Sequence, residues 1–344
     1  MKTGIVKDRR YLDHNMGDFH VESPRRIEAV YRMIEKEITF PYLEIQPRRA
    51  REEEVELIHA ASYMDLIKQT AGKPYVYLDP DTSTSARSYE TALLAVGGLL
   101  AAADLILDGK IQNGFALVRP PGHHAEYSWA KGFCIFNNAA IAAAYLLKKR
   151  GLKRVLIVDW DIHHGNGTQN SFYTSKDVLY FSTHQYPHYP GSGSSGEVGA
   201  DEGEGYTINV PLRAGKGNQD YLYIFQKILR PAAAAFRPEF ILVSAGFDVS
   251  RGDPLGGMDI TGEGFSALTA ELLTLAGELC RNQILFTLEG GYSLPELTEG
   301  VKTVLLQLSG EAASPIVKAE ASEETERELA PVFAIQKKYW PIEK

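Results

Sequence analysis

The sequence predicts a single α/β domain with a mostly parallel central sheet and helices on both faces. Short apolar runs alternate with longer segments whose apolar residues recur every three or four positions, which is the order of strand–helix crossover units. Polar and titratable residues follow directly after several of the apolar runs. Because ligands bind outside the carboxyl ends of strands in such sheets, we expect one domain with one site at that edge.

Each predicted strand is a short, largely apolar run, and in 155–158 four apolar residues in a row, several of them β-branched, indicate a strand that is buried on both faces. In chain order, the predicted strands are 4–6, 114–118, 155–159, 178–182, 206–210, 240–244 and 284–288.

The first predicted helix begins near Pro24, because proline is tolerated in a first helical turn. The other predicted helices are 52–70, 86–107, 138–149, 219–236, 262–280 and 294–308. We interpret residues 1–310 as the catalytic domain. Residues 311–344 are charged and weakly periodic, and we predict a peripheral extension packed on the same domain by Tyr339 and Trp340.

Composition argues against several classes of protein. The 344 residues carry a formal charge of -8 with no basic stripe, which disfavours nucleic acid as a partner. The apolar run 91–107 contains two glycines and an aspartate, and we predict that it falls short of a membrane span. The start lacks the apolar core of a signal peptide, so we expect a cytoplasmic protein. Cys134 and Cys280, the two cysteines, are predicted to be buried thiols.

The strongest chemical signal follows strand 155–159. Asp159, Asp161 and His163 alternate along the chain and therefore share one side of an extended segment. Zinc accepts carboxylate oxygen and imidazole nitrogen, and a catalytic zinc has three protein ligands and a position for water. Asp248, after Gly246 and another apolar run, is the candidate third ligand. The alternatives are a salt-bridge network around Asp161 and a helix or turn cap at Asp248.

Two further segments carry candidates for catalysis. His123 and His124 lie on a proline-stiffened loop, where neighbouring imidazoles suit proton transfer or form a purely structural pair. Asp159 would orient one of them, and Asn166 is a partner for the other. Tyr292 follows Glu-Gly-Gly and is either a hydrogen-bond donor to a developing oxyanion or a buried structural tyrosine.

Six motifs, at 119–126, 132–134, 159–169, 244–248, 252–257 and 289–292, resemble those of the zinc-dependent histone deacetylase family, in the family's order. The first reads Arg-Pro-Pro-Gly-His-His-Ala-Glu. The resemblance extends from about residue 10 to about residue 310 and is strongest to the class II branch. Its relatives include bacterial histone deacetylase-like amidohydrolases, acetylpolyamine amidohydrolases and acetoin-utilization proteins.

The resemblance implies the arginase/deacetylase fold and removal of acetyl or other short acyl groups from acyl-lysine-like amides. It implies one catalytic zinc, with iron as the alternative, held by Asp161, His163 and Asp248. It further implies that His123 and His124 hold the attacking water, with His124 as general base and later general acid, and that Tyr292 polarises the substrate carbonyl.

The family pattern also implies roles outside the reacting centre. The substrate channel would be formed by Gly132, Phe133, Tyr189 and Leu255, and Arg26 would line an internal cavity for acetate release. A structural potassium ion would lie near Asp159, Asp161, His163 and Ser182.

Two departures from the family pattern, and one difference from a polyamine-selective relative, bear on specificity. Asn166 stands where class I members have an aspartate, which agrees with class II and should make His124 less basic. Tyr189 stands where many relatives have phenylalanine. Leu255 is apolar where a polyamine-selective relative carries an acid, which favours acyl-lysine peptides or small acylamides over acetylpolyamines.

Two other functions compete with the deacylase interpretation. The first is a catalytically silent acyl-lysine binding protein, although the intact set of metal ligands and Tyr292 argue against it. The second is a binuclear manganese ureohydrolase, which is disfavoured because the sequence shows ligands for only one metal ion. A homo-oligomer is compatible with the sequence.

Overall fold

The computed structural model describes residues 2–312 and 318–343. Within these ranges the strands are β1 Thr3–Val6, β2 Tyr42–Ile45, β3 Val76–Asp79, β4 Thr82–Thr84, β5 Asn113–Ala116, β6 Val155–Asp159, β7 Val178–Gln185, β8 Thr207–Leu212, β9 Phe240–Ala245 and β10 Ile284–Leu288. The core is an eight-stranded sheet in which each pairing is parallel, with strand order β2-β1-β5-β10-β9-β6-β7-β8, and β3 and β4 form a separate hairpin.

Helices surround this sheet and cover its apolar faces. Their bounds are α1 Pro24–Glu37, α2 Glu52–Val55, α3 Ala61–Lys68, α4 Ser88–Leu107, α5 Asn138–Lys148, α6 Asn166–Phe172, α7 Asn218–Ile224, α8 Arg230–Phe236, α9 Gly262–Leu279, α10 Leu294–Ser309 and α11 Glu323–Gln336. A π-helical turn, Phe225–Leu229, joins α7 to α8, so the predicted helix 219–236 is continuous. Cys134 and Cys280 are buried free thiols, as predicted.

All seven predicted strands are present, but β2 and the β3–β4 hairpin were missed. β2 is an edge strand with a partly exposed surface, so it lacks the continuous apolar run of the buried strands. The strands of the hairpin have only three or four residues each, and β4 is the polar sequence Thr-Ser-Thr. The short helix α6 was also missed, because it begins inside the polar segment that follows β6.

The prediction of one helix over 52–70 was wrong, because tertiary contacts interrupt it. His59 lies between α2 and α3, where its Nδ1 bonds to the carbonyl oxygen of Glu126 at 2.8 Å and its Nε2 accepts from the Asn137 amide at 2.9 Å. The Ala60 amide donates to the carbonyl oxygen of Tyr127 at 2.9 Å. The Ala60 amide thus bonds to distant backbone instead of making a helical bond, and the two ring bonds of His59 hold the chain at this break.

The prediction that run 91–107 falls short of a membrane span was also wrong as a statement about length and composition. Helix α4 is long and apolar enough to cross a membrane by these two measures. However, 72 % of its apolar stretch is buried inside the protein, where it packs on α5 and on the sheet. Burial in the core therefore accounts for its apolar surface.

The C-terminal segment covers the β8 edge of the sheet. Helix α11 contacts β8, and the Trp340 indole donates to the carbonyl oxygen of Gly205 at 2.8 Å. Tyr339 donates through its hydroxyl to Glu204 Oε1 at 2.8 Å. Tyr339 and Trp340 thus pack this segment on the body of the protein, and the helix shields a strand edge that would otherwise expose unpaired backbone groups.

Candidate metal and catalytic site

The sheet topology brings the chemically important loops together. Strands β5, β10, β9, β6 and β7 are consecutive neighbours in the sheet, and all run in the same direction. The loops that follow them carry, in that order, the histidine pair, Tyr292, Asp248, the Asp161–His163 pair and Tyr189. Parallel strands end at one edge, so side chains separated by more than a hundred residues in the sequence meet there.

Asp161, His163 and Asp248 form a compact buried group. One ligand atom from each lies within 4.8 Å of the other two. The Nδ1 atom of His163 lies 3.0 Å from Asp161 Oδ1 and 3.2 Å from Asp248 Oδ2. Asp248 Oδ2 is buried and accepts no hydrogen bond from any described residue. The three side chains therefore face one another as ligands of a single cation would.

The charges of this group depend strongly on one another. Burial and the neighbouring Asp161 raise the pKa of Asp248 to about 7. Burial opposes protonation of His163, but the hydrogen bond to Asp161 and the nearby Asp248 carboxylate raise its pKa to about 10. Burial would also raise the pKa of Asp161, yet the His123 and His163 imidazoles hold it below its usual range. The two buried carboxyl groups and the imidazole thus hold a proton between them. Binding of a metal cation would release that proton.

Two glycines allow the backbone to approach these carboxylates. A Cβ atom on Gly246 would lie 2.1 Å from Asp161 Oδ2, and one on Gly290 would lie 2.1 Å from Asp248 Oδ2. The amide of Gly290 donates to Asp161 Oδ2 at 2.8 Å. Any side chain at either position would displace a candidate ligand.

The two adjacent histidines have different partners, both named in the sequence analysis. His123 Nδ1 lies 3.1 Å from Asp159 Oδ2, which also accepts from the Tyr180 hydroxyl at 3.0 Å. His124 Nδ1 lies 2.7 Å from Asn166 Oδ1. Thus a carboxylate orients one imidazole, whereas a neutral amide orients the other.

This difference separates the protonation of the two rings. Burial opposes a charge on His123, but Asp161 and Asp159 raise its pKa to about 10. Burial and the neighbouring His123 and His163 lower the pKa of His124 well below its ordinary value. His124 is therefore the neutral member of the pair and the one with a ring nitrogen free to accept a proton.

Glu289 anchors the histidine loop, a role that the sequence analysis missed. Its Oε2 atom accepts from the amides of Gly122 at 2.6 Å and His123 at 3.2 Å, and its Oε1 accepts from the Ser244 hydroxyl at 3.1 Å. Burial raises the pKa of Glu289 to about 7. The sequence places Glu289 directly after a buried strand, but its hydrogen-bond partners Gly122, His123 and Ser244 lie in distant segments of the chain.

Asp253 anchors the Tyr292 turn in a similar way. Its Oδ2 accepts from the amides of Tyr292 at 2.7 Å and Ser293 at 2.9 Å, and its Oδ1 accepts from the Leu255 amide at 3.0 Å. One carboxylate therefore holds the Tyr292 turn against the loop that carries Leu255. The sequence analysis did not identify it.

A narrow cavity leads to the candidate metal ligands. It is lined by Asp81, Pro121, His123, His124, Gly132, Phe133, His163, Tyr189, Leu255, Gly290 and Tyr292, which include all four predicted channel residues. The rings of Phe133 and Tyr292 are 5.8 Å apart, and those of His124 and Tyr189 are 5.0 Å apart. Gly132 has a φ of +55°, and a Cβ there would lie 2.3 Å from the His124 ring. Aromatic walls therefore enclose the approach to the histidines.

Asp81 is a further cavity residue that the sequence analysis missed. It follows β3 in the hairpin, and its Oδ1 accepts from the Gly132 amide at 3.1 Å. The hairpin itself was not recognised in the sequence, so nothing indicated that this acid would reach the cavity. His184 is different: it follows Ser182 in β7, but its nitrogens bond to the Ser182 hydroxyl and the Gly193 carbonyl oxygen.

Arg26 lies behind Tyr292 in the buried interior. Its Nε and Nη2 donate to the carbonyl oxygens of Gly291 and Glu289, each at 2.6 Å, and its Cζ lies 4.9 Å from the centre of the Tyr292 ring. Its Nη1 donates to Glu22 Oε1 at 3.1 Å. Arg26 therefore supports the turn that carries Tyr292.

Glu22 is the buried counter-ion of two arginines. In addition to Arg26, it accepts from Arg119 Nη2 at 2.8 Å and Nε at 2.5 Å. Replacing Glu22 by Ala would leave two buried guanidinium groups without this carboxylate. We expect the free energy of unfolding, measured by urea denaturation, to fall by about 3–5 kcal/mol.

The control for this prediction is Glu28→Ala in α1, the helix that begins two residues after Glu22. Glu28 pairs with Arg32 on the surface, and both side chains are more than half exposed. Its loss should change the free energy of unfolding by about 1 kcal/mol or less. Equal effects of the two substitutions would contradict the role given to Glu22.

Comparison with known proteins agrees with the fold. A family model described as "Histone deacetylase domain" matches residues 20–308. Histone deacetylase 15 of Arabidopsis thaliana is 40% identical over 352 residues, which cover 98% of this chain and 63% of that protein. Polyamine deacetylase HDAC10 of Homo sapiens is 41% identical over 315 residues, which cover 86% of this chain and 46% of that protein. The chain thus spans less than two thirds of the length of each of these relatives.

A solved structure, "Crystal Structure of HDA15 HD domain", superimposes with a TM-score of 0.92 at 40% identity and covers 99% of this chain and 97% of that one. This match confirms the predicted arginase/deacetylase fold. The family model covers most of the chain, and its range contains the candidate metal ligands, the histidine pair and Tyr292. The chain therefore belongs to the histone deacetylase family.

Proposed function

We propose that this chain is a zinc-dependent amidohydrolase that removes acetyl or other short acyl groups from acyl-lysine-like amides. The observation that carries the proposal is the convergence of three metal-ligand side chains, a neutral histidine and a phenol at the end of one narrow cavity. This combination fits metal-assisted hydrolysis.

Asp161, His163 and Asp248 would hold the zinc. Two carboxylates and one imidazole are a donor set that catalytic zinc accepts, and a cation would provide a partner for the buried Asp248 Oδ2. When bound, zinc would polarise the substrate carbonyl and lower the pKa of water from about 15.7 toward about 7. The potassium ion expected near Asp159 and Ser182 remains a prediction.

The proton transfers are assigned to His124. Its Nδ1 is engaged by Asn166, so Nε2 takes the proton of the attacking water and later passes it to the nitrogen of the leaving amine. Tyr292 donates its hydroxyl hydrogen to the carbonyl oxygen as negative charge develops there. Burial raises the pKa of Tyr292 well above its ordinary value, so the phenol keeps the hydrogen that it donates.

The cavity walls favour a long aliphatic amine as the leaving group. Phe133 and Tyr189 enclose a narrow approach that suits the unbranched chain of an acyl-lysine. Leu255 adds apolar surface where an acid would otherwise attract a polycation. These features favour acyl-lysine peptides or small acylamides as substrates.

An acetylpolyamine is the second candidate substrate, because acids are also present near the cavity. Asp81 lines the cavity, and burial together with Asp81 raises the pKa of the nearby Asp79 to about 6. One relative is named a polyamine deacetylase. Measuring kcat/KM for an acetyl-lysine peptide and for acetylputrescine on one preparation separates the candidates. A higher value for acetylputrescine would overturn the acyl-lysine assignment.

Removal of metal tests the hydrolase itself. We expect a chelator to abolish hydrolysis of an acetyl-lysine peptide and zinc or ferrous iron to restore it, because the ligands form one site that a single cation completes. Metal content measured on the same samples should follow activity. Asp248→Asn should lose metal without chelation.

Two results would contradict this proposal. Full activity in protein shown to contain no metal would remove the cation from the reaction. Binding of an acetyl-lysine peptide without hydrolysis, in protein fully loaded with zinc, would favour the silent acyl-lysine binding protein.

A further inference from the structure

Glu126 lies two residues after the histidine pair and contacts the partner of His124 rather than His124 itself. Its Oε1 accepts from Asn166 Nδ2 at 2.5 Å. Its two oxygens also accept from Asn170 Nδ2 at 3.0 and 3.1 Å. Asn166 and Asn170 are one turn apart on α6, so one carboxylate binds two amides on the same face of this helix.

The Asn166 amide has two distinct ends, and its surroundings accept only one orientation. Its Nδ2 faces Glu126 Oε1 and, at 3.3 Å, the carbonyl oxygen of His124. Both of these atoms accept hydrogen bonds and cannot donate them. Turning the amide over would place its oxygen against the carboxylate and lose both bonds. Glu126 therefore fixes Asn166 Oδ1 on the side that faces His124.

This orientation determines which nitrogen of His124 carries hydrogen. Asn166 Oδ1 accepts only, and it lies 2.7 Å from His124 Nδ1. A neutral imidazole bonded in this way carries its hydrogen on Nδ1 and has its lone pair on Nε2. The opposite amide orientation would favour hydrogen on Nε2, and His124 could then not accept a proton through that atom.

We propose that Glu126 is a positioning residue that holds His124 in the Nδ1–H form through Asn166. An aspartate at position 166 would present two equivalent acceptor oxygens and would need no such control. An asparagine needs a neighbour that distinguishes its oxygen from its nitrogen. The effect on catalysis rests on the proposed function, because there His124 Nε2 accepts the proton. The choice of tautomer does not rest on the proposed function.

The first test reads the tautomer directly by nitrogen NMR on the zinc-loaded protein with ¹⁵N-labelled histidine. His124 is assigned by comparison with the His124→Gln variant. The proposal expects a protonated Nδ1 and an unprotonated Nε2 in the parent, and a shift toward the other form in Glu126→Leu. An Nε2–H form in the parent, or an unchanged tautomer in Glu126→Leu, overturns it.

The second test is a double-mutant comparison of activity on an acetyl-lysine peptide. Glu126→Leu should lower kcat about 10- to 100-fold with KM little changed, the range found when residues that orient active-site ligands are replaced. In an Asn166→Asp background the same substitution should cause no further loss, because the aspartate needs no orientation. Glu126→Gln, which keeps an acceptor oxygen, should recover most of the activity. An equal loss in both backgrounds would indicate general damage to the fold and overturn the proposal.

The two readouts distinguish this inference from the proposed function. If the parent protein hydrolyses none of the substrates, the deacylase assignment fails. The role of Glu126 can still be tested, because the tautomer of His124 is read by NMR and not by activity. If the parent is active and Glu126→Leu keeps both tautomer and kcat, only the role of Glu126 fails. Should the leucine variant not fold, Glu126→Ala serves the same comparison.

Discussion

Replacing His124 by Gln should lower kcat for an acetyl-lysine peptide by about 10²- to 10⁴-fold, the range for loss of a positioned general acid and base. The substitution removes the imidazole that is neutral in the folded protein and therefore able to accept a proton. His124 is not among the candidate metal ligands, so metal content should stay near that of the parent. Steady-state kinetics and metal analysis on the same preparation check both parts.

His123→Gln is the matched comparison for this prediction. His123 lies on the same loop, but Asp161 and Asp159 raise its pKa against the effect of burial, so it is less suited than His124 to accept a proton. Its loss should lower kcat less than the loss of His124. A larger loss for His123→Gln would transfer the role of base to His123.

Replacing Tyr292 by Phe should lower kcat by about 10²- to 10³-fold, the cost of removing one oxyanion donor. The change deletes one hydroxyl and keeps the ring that contacts Phe133 and Arg26. The turn itself is held through backbone amides by Asp253, so the fold should be unaffected. Because the lost bond strengthens as charge develops, KM should change little.

Tyr189→Phe is the comparison for this second prediction. It removes a hydroxyl from another residue that lines the same cavity and keeps the aromatic surface. We expect a loss of less than tenfold in kcat, since no oxyanion contact is assigned to Tyr189. If Tyr292→Phe retained the activity of the parent, Tyr292 would have no part in the reaction.

Much of the fold was predictable because local sequence encodes it. The buried strands β6, β9 and β10 are continuous apolar runs, and their periodicity differs from that of the helices between them. Prediction failed where local pattern and tertiary context disagree. The edge strand β2 is partly exposed, and the segment 52–70 is divided by bonds from His59 and Ala60 to distant backbone.

The candidate site likewise contains residues that the sequence predicts and residues that it does not predict. Asp161, His163, Asp248 and the histidine pair could be identified because each follows an apolar strand and carries a side chain suited to metal binding or proton transfer. Glu289 and Asp253 could not be identified, because each acts by accepting bonds from the backbone of other loops. An isolated acid in a loop gives no sign of which amides it will meet.

By itself, the sequence determined the types of side chain available for chemistry and their order along the strands that deliver them. Only the tertiary structure decided which atoms pair, such as Arg26 with the Gly291 carbonyl 265 residues away, or Glu126 with Asn166. It also decided that neighbouring carboxylates raise the pKa of His123, whereas burial lowers the pKa of its neighbour His124. The physical reason is that hydropathy and side-chain chemistry are properties of a residue and its near neighbours, whereas hydrogen-bond partners and pKa values depend on what packing places around each group.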